Sequence, residues 1–204
     1  MNTQDTVHRK SAAELRIRRV MDALEKNNMQ AYYAPTCADA VKIAKELLQS
    51  GDVISCGGSV TLDETGVMDL MRCGDYEFLD RTTAETPEER EKLYREVFSS
   101  DVFLTGTNAV TEHGELYNVD GNGNRVAAML FGPKKVLVFA GCNKIVRDID
   151  DAAKRVKSCA TPANAMRLNL DTPGRVPART ASCARDAARK IASVRCTRFW
   201  HASA

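Results

Sequence analysis

Asp-Val-Phe-Leu-Thr at 101–105 and Lys-Val-Leu-Val-Phe-Ala at 135–140 decide the fold class. Both runs are apolar at successive rather than alternate positions, so both of their faces must be covered. That is the pattern of strands in the middle of a parallel sheet. Outward from them, amphipathic helices alternate with further short strands. Leu15, Ile17, Val20, Met21 and Leu24 form one stripe of a first helix that ends near Asn27 and Asn28. A short strand is expected at 31–34. Thr36 then caps a second helix with Ala40, Val41, Ala44, Leu47 and Leu48 on one face, and Gly51 is placed to end it in a left-handed conformation. Residues 52–59 (DVISCGGS) read as a strand running into a glycine loop. Thr86-Pro87-Glu88-Glu89 is a helix start with hydroxyl cap, proline at the first turn and a capping-box glutamate, and that helix should run to about Phe98. A strand at 115–119, a short buried helix at 125–131 and charged helices from Asp148 and from Thr161-Pro162 complete the pattern. The fold class is α/β, with an open, mostly parallel sheet flanked by helices.

The 204 residues, 44% hydrophobic and 27% charged with a net charge of +2, suit one globular domain rather than a collagen, a disordered acidic chain or a nucleic-acid binder. No apolar run reaches the ~18 residues of a membrane span, and the first twenty residues show no apolar leader, so a cytoplasmic protein is expected. Charge is unevenly distributed. Residues 172–204 carry seven basic residues against one acid, whereas the first 171 are net acidic. With Pro173, Gly174 and Pro177 at the junction, the expected organisation is an α/β domain over 1–171, led by the N-terminal helix, followed by a basic tail over 172–204. The seven cysteines are odd in number, scattered and never in C-x-x-C, which argues against a zinc finger, a redox dithiol and a disulfide framework. No metal ligand set is assigned from them.

Chemistry is expected at two glycine-bearing segments that follow predicted strands. In the first, Gly57 and Gly58 let backbone N–H groups turn toward an anion, with Ser59 and Thr61 adding hydroxyls at a helix start. A plain tight turn capped by Ser59 is the alternative. The segment is neither a Walker A loop nor G-x-G-x-x-G. The second, 105–125, is dense in Gly, Asn, Thr, Asp and Glu between apolar strands. It offers Gly106, Thr107, Asn108, Asn118, Asp120, Gly121, Asn122, Gly123, Asn124 and Arg125 as ligand-binding residues, with side-chain turns as the alternative use of its polar groups. It fails as a calcium loop, because Arg125 and Phe131 stand where glycine and glutamate are required. Candidate catalytic groups are Cys56, at a loop mouth where a helix start lowers thiol pKa, and Glu64 and Glu112 as bases or covalent carboxylates. His113 is a candidate proton carrier and Arg125 a candidate anion clamp, and the spacing does not choose among these roles.

GGSVTLDETGVMDLM (57–71), the run from DVFLTGTNAVTEHGELYNVDGNGNRVAAMLF onward (101–152) and CATPANAMRLNLDTP (159–173) together resemble the LUD-domain family of lactate-utilisation proteins, in particular its short C-type subunits. The resemblance covers about residues 11–173. It implies the fold shared by ribose-phosphate isomerases, glucosamine-phosphate deaminases and CoA transferases. It places Gly57, Gly58, Ser59, Thr61, Gly106, Thr107, Asn108 and Glu112 around one ligand. Asn108 stands where many isomerase-like relatives carry a catalytic aspartate, and an amide cannot abstract a proton. Glu112 is similar to the glutamate that forms a thioester in some CoA transferases. Relatives of this short type carry a cysteine cluster after the LDTP-like motif, whereas here only Cys183 and Cys196 follow it. Two thiolates do not supply an iron–sulfur cluster, so either the cluster is absent or its further ligands come from a partner chain or from Cys142 and Cys159. The Arg/Ala-rich composition of the tail also fits translation out of an ancestral frame.

The resemblance implies a subunit supporting oxidation of lactate to pyruvate by binding a small anionic metabolite: a carboxylate, phosphate or CoA ester. No flavin or nicotinamide fingerprint is present, so the cofactor is unassigned and iron–sulfur partner subunits would supply the redox chemistry. A homo-oligomer is expected, with neither membrane nor nucleic acid as partner. The other readings are a stand-alone enzyme on CoA-linked or phosphorylated substrates and a regulatory scaffold.

Overall fold

The computed structural model describes residues 3–169; the basic tail, its two cysteines and the 171–180 junction lie outside the described residues. Helix α1 (Thr3–Lys26) is followed by α2 (Cys37–Leu47), which begins at the predicted cap: the Thr36 hydroxyl accepts from the Asp39 amide while the Asp39 carboxylate accepts from the Thr36 amide. Strand β1 (Val53–Cys56) leads through the short helices α3 (Val60–Thr65) and α4 (Val67–Met71) to β2 (Glu77–Leu79). The Thr86 capping box opens α5 (Pro87–Glu96), after which a 3-10 turn at Val97–Ser99 delivers the chain to β3 (Val102–Gly106). A hairpin, β4 (Ala109–Thr111) and β5 (Leu116–Tyr117), precedes α6 (Asn124–Leu130), β6 (Lys135–Phe139) and β7 (Ile145–Val146). The last helical segment is α7 (Ile149–Arg155), a five-residue π turn at Val156–Ala160, and α8 (Thr161–Arg167).

The main sheet has the order β2-β1-β3-β6 and is parallel throughout, as expected. A second sheet, β5-β4-β7, pairs antiparallel and then parallel. All five residues of β3 are buried because consecutive side chains enter different cores. Val102 and Leu104 pack with Ile54, Leu62, Val67 and Met71 under α2, α3 and α4, whereas Phe103 packs with Val20, Val110, Leu116 and Met129 beneath α1 and α6. Among the described residues no helix is long and apolar enough to cross a membrane.

Three expectations change. The apolar run of β6 is an edge strand, not a central one, with Val136 to Phe139 only partly buried. Uniform apolarity reports coverage of the faces and says nothing of lateral neighbours. Residues 31–34 form no strand: nothing pairs with them, and Tyr32 and Tyr33 are exposed. Gly51 is left-handed (φ +85°) but serves the turn into β1, since α2 already ends at an extended Leu48.

Candidate functional site

Because the main sheet is parallel, four loops leave the same edge: Gly57-Gly58-Ser59 after β1, Asp80-Arg81 after β2, Thr107-Asn108 after β3 and the segment to Lys144 after β6. Open α/β sheets hold ligands at this carboxyl edge. The two glycine segments singled out in the sequence meet there. A Cβ built on Gly106 would stand 2.5 Å from Ser59 Oγ, and one on Gly57 would stand 2.7 Å from Thr105 Oγ1. Ser59 does not cap α3; its hydroxyl faces Gly106 instead.

Most of the polar residues in 105–125 are engaged with one another. Arg125 donates through Nε to Asp120 (2.8 Å), through Nη1 to Gly106 O (3.1 Å) and Asn118 Oδ1 (2.6 Å), and through Nη2 to Asn108 Oδ1 (3.1 Å) and Val119 O (3.1 Å). Every nitrogen of the fork is in use, so Arg125 clasps the β3–β4 loop to the segment before α6 and is not available as an anion clamp. Asp120 also accepts from the Val126 amide, and Asn108 Oδ1 from the Val119 amide. Thr107 is buried, with its hydroxyl donating to Ala109 O (3.0 Å). Gly121 and Asn122 are exposed at the loop tip, and Gly123, left-handed at φ +80°, starts α6. One polar atom is left over: Asn118 Nδ2 is buried without a partner among the described residues.

The free polar groups at this edge lie elsewhere. Arg81 makes no hydrogen bond or ion pair among the described residues, because the neighbouring Asp80 is held by Arg72 (2.7 Å) and Thr82. The Arg81 guanidinium crowds the point where a Gly58 Cβ would stand, and Arg167 Nη2 lies 3.4 Å from the same point. Lys144 Nζ donates to Thr61 Oγ1 (2.7 Å) and lies 3.5 Å from the Cβ position of Gly106. Burial pulls its pKa down, the charges of Arg155 and Arg125 add to that, and Glu64 opposes it. Arg155 donates to the carbonyls of Asn108 and Asn143. Arg81, Lys144, Arg155 and Arg167 have no carboxylate partner among the described residues. None of the four was singled out in the sequence. The available signal was position: Arg81 and Lys144 each follow a strand of the parallel sheet within a few residues.

The sequence model of the LUD domain matches residues 17–193, well over half of the chain. The chain belongs to the LUD-domain family. No curated protein and no solved structure matches it.

The LUD-domain scaffold separates the candidate catalytic groups. Cys56 lies beside a space of about 10 Å³, room for about one water, lined also by Gly57, Arg81, Asn124 and Arg125. Burial pushes its thiol up to about 11, against the pull of Arg81, so it is protonated at neutral pH, opposite to the lowering expected at a helix start. Glu64 is exposed on α3 with its charge felt at Lys144. Glu112 is not with them. Strand β4 carries it away from Asn108, over about 13 Å of extended chain, to α1, where it accepts from Arg16 Nε at 2.7 Å. His113 is exposed there, and Asn27 of the α1 terminus donates to the carbonyls of His113 and Gly114. Among the described residues no three His, Cys, Asp or Glu side chains lie together as a metal site; Cys142 and Cys159 are both exposed.

Proposed function

We propose that this LUD-domain chain is a cytoplasmic subunit of a lactate-oxidising system and binds a small anionic metabolite at the carboxyl edge of its main sheet. The observation that carries the reading is the convergence of Arg81, Lys144 and Arg167 on Gly58, Ser59 and Gly106 without a carboxylate partner among the described residues. Unpaired like charges raise the energy of the empty site, and an anion entering it relieves that repulsion while gaining charge-assisted hydrogen bonds. The all-parallel main sheet supports grouping the fold with the isomerases and CoA transferases. Electron transfer belongs to partner subunits on this reading, and this chain's residues bind and orient.

Calorimetric titration of lactate and pyruvate into the full chain, its Ser59→Ala variant and its Lys144→Gln variant tests it. Saturable binding is expected, weakened about tenfold or more by Lys144→Gln, on the scale of one charge-assisted hydrogen bond. Absence of binding by every carboxylate, phosphate and CoA ester tried, or indifference to both substitutions, overturns it.

A further inference from the structure

The cations at the sheet edge that have no carboxylate partner among the described residues fall into two groups on neighbouring elements. Lys144 Nζ and Ser59 Oγ both approach the Cβ position of Gly106, with the charge of Arg155 felt at Lys144, while Arg81 crowds the Cβ position of Gly58 and Arg167 Nη2 lies 3.4 Å from that position, the two coming from different elements, the loop after β2 and the end of α8. Two guanidinium groups flanking one glycine, neither with an ion-pair partner among the described residues, form a receptor larger than one carboxylate needs. Each presents a planar fork of donors, and phosphate oxygens match such forks bidentately where a second lysine would offer only a point charge. Gly58 is part of this device, since any Cβ there would displace Arg81. Four cations converge at this edge, with the field of Glu64 opposing them at Lys144 and those of Asp80 and Asp63 acting at Cys56.

We propose that the ligand of this site is a small phosphorylated carboxylic acid, its phosphoryl group seated between Arg81 and Arg167 across Gly58 and its carboxylate on Lys144 and Ser59. The proposal rests on the anion-site reading above and narrows its substrate class. Gly58 and Ser59 are neighbours, with Cα atoms about 3.8 Å apart, so both anionic groups belong to one compact molecule.

The test is a paired titration of the full chain with phosphoenolpyruvate and pyruvate, which share a three-carbon acid and differ in the phosphoryl group. Phosphoenolpyruvate is expected to bind about ten- to a hundredfold tighter, the scale of one or two additional charge-assisted hydrogen bonds. Arg81→Gln and Arg167→Gln should each bring that ratio down toward one, and Lys144→Gln should weaken both ligands alike. Gly58→Ala, which displaces Arg81 without removing it, should lower the ratio as well. Inorganic phosphate should compete with phosphoenolpyruvate. Equal affinities in the unaltered protein, or a ratio that survives both arginine substitutions in chains shown by circular dichroism to be folded, overturns the phosphoryl assignment and leaves the anion site standing. If neither compound nor any other anion binds, both readings fall together.

Discussion

The segment around Arg125 and the edge around Gly58 are both polar, glycine-bearing and built on strand ends, yet they use their polar groups in opposite ways. In the first, one arginine satisfies five acceptors and two asparagines pin the loops. In the second, Arg81 has no partner among the described residues, Lys144 has only a hydroxyl and Arg167 only the Asn164 amide oxygen. The lesson is that density of polar residues identifies a place where hydrogen bonds are made, and only counting the partners tells a structural clasp from a receptor.

Substitutions should separate the two regions by kind of effect as well as by size. Arg125→Met removes the partner of Asp120 in a pair whose side chains are only 12% and 10% exposed. Urea unfolding should show a loss of about 3–5 kcal/mol, the cost of stranding a buried charge. A smaller effect is expected where the hairpin tip meets α1. Gly114 is left-handed at φ +78°, and a Cβ there would stand 2.5 Å from the Ala23 backbone, so Gly114→Ala should destabilise by roughly 1–3 kcal/mol on the same measurement. By contrast, Arg81→Gln and Arg167→Gln should change stability by less than about 0.5 kcal/mol, as surface changes do, while abolishing preference for a phosphorylated ligand. A large stability loss from either would move that arginine into the structural class. Glu112→Gln breaks only a half-exposed pair with Arg16, so a cost under about 1 kcal/mol and unchanged anion affinity are expected.

Cys56 sharpens the comparison through pH. Its thiol ionises near 11 in the folded chain against 9.0 as the ordinary value, so the native state holds its proton where the unfolded state has lost it. Below 9 that contribution to stability is complete, and it is lost as pH rises through the window to about 11. Peptide mapping after iodoacetamide treatment at neutral pH should find Cys56 labelled far more slowly than the exposed Cys37, Cys73, Cys142 and Cys159. Labelling at equal rates would return Cys56 to the list of nucleophiles.

Local chemistry was legible in the sequence wherever its partners are close in the chain. The capping boxes at Thr36 and Thr86 follow from residues three apart, and the burial of β3 from an unbroken apolar run. The meeting of Gly57-Gly58-Ser59 with Gly106 also followed, because parallel strands end on one side. What could not be read depends on lateral order and on distant residues. The edge position of β6 is set by which strands pair, and Arg81, Lys144 and Arg167, spread over more than eighty residues, become a group only after folding. Glu112 shows the converse: the family resemblance groups it with Gly106, six residues away, but an extended strand carries it to α1.

The π turn at Val156–Ala160 has a consequence for Arg155 and Arg167, which flank it on one continuous helical segment. Twelve α-helical residues would leave the two arginines about 120° apart around the axis, whereas one extra residue taken up in a wide turn brings them to within about 20°. The bulge thus acts as a phase corrector that aims two cations at one sheet edge. Excising Ser158 would leave eleven regular α-helical steps between the two arginines and so keep them within about 20° of each other, whereas straightening the turn with all twelve residues retained would swing Arg167 about a third of a turn away.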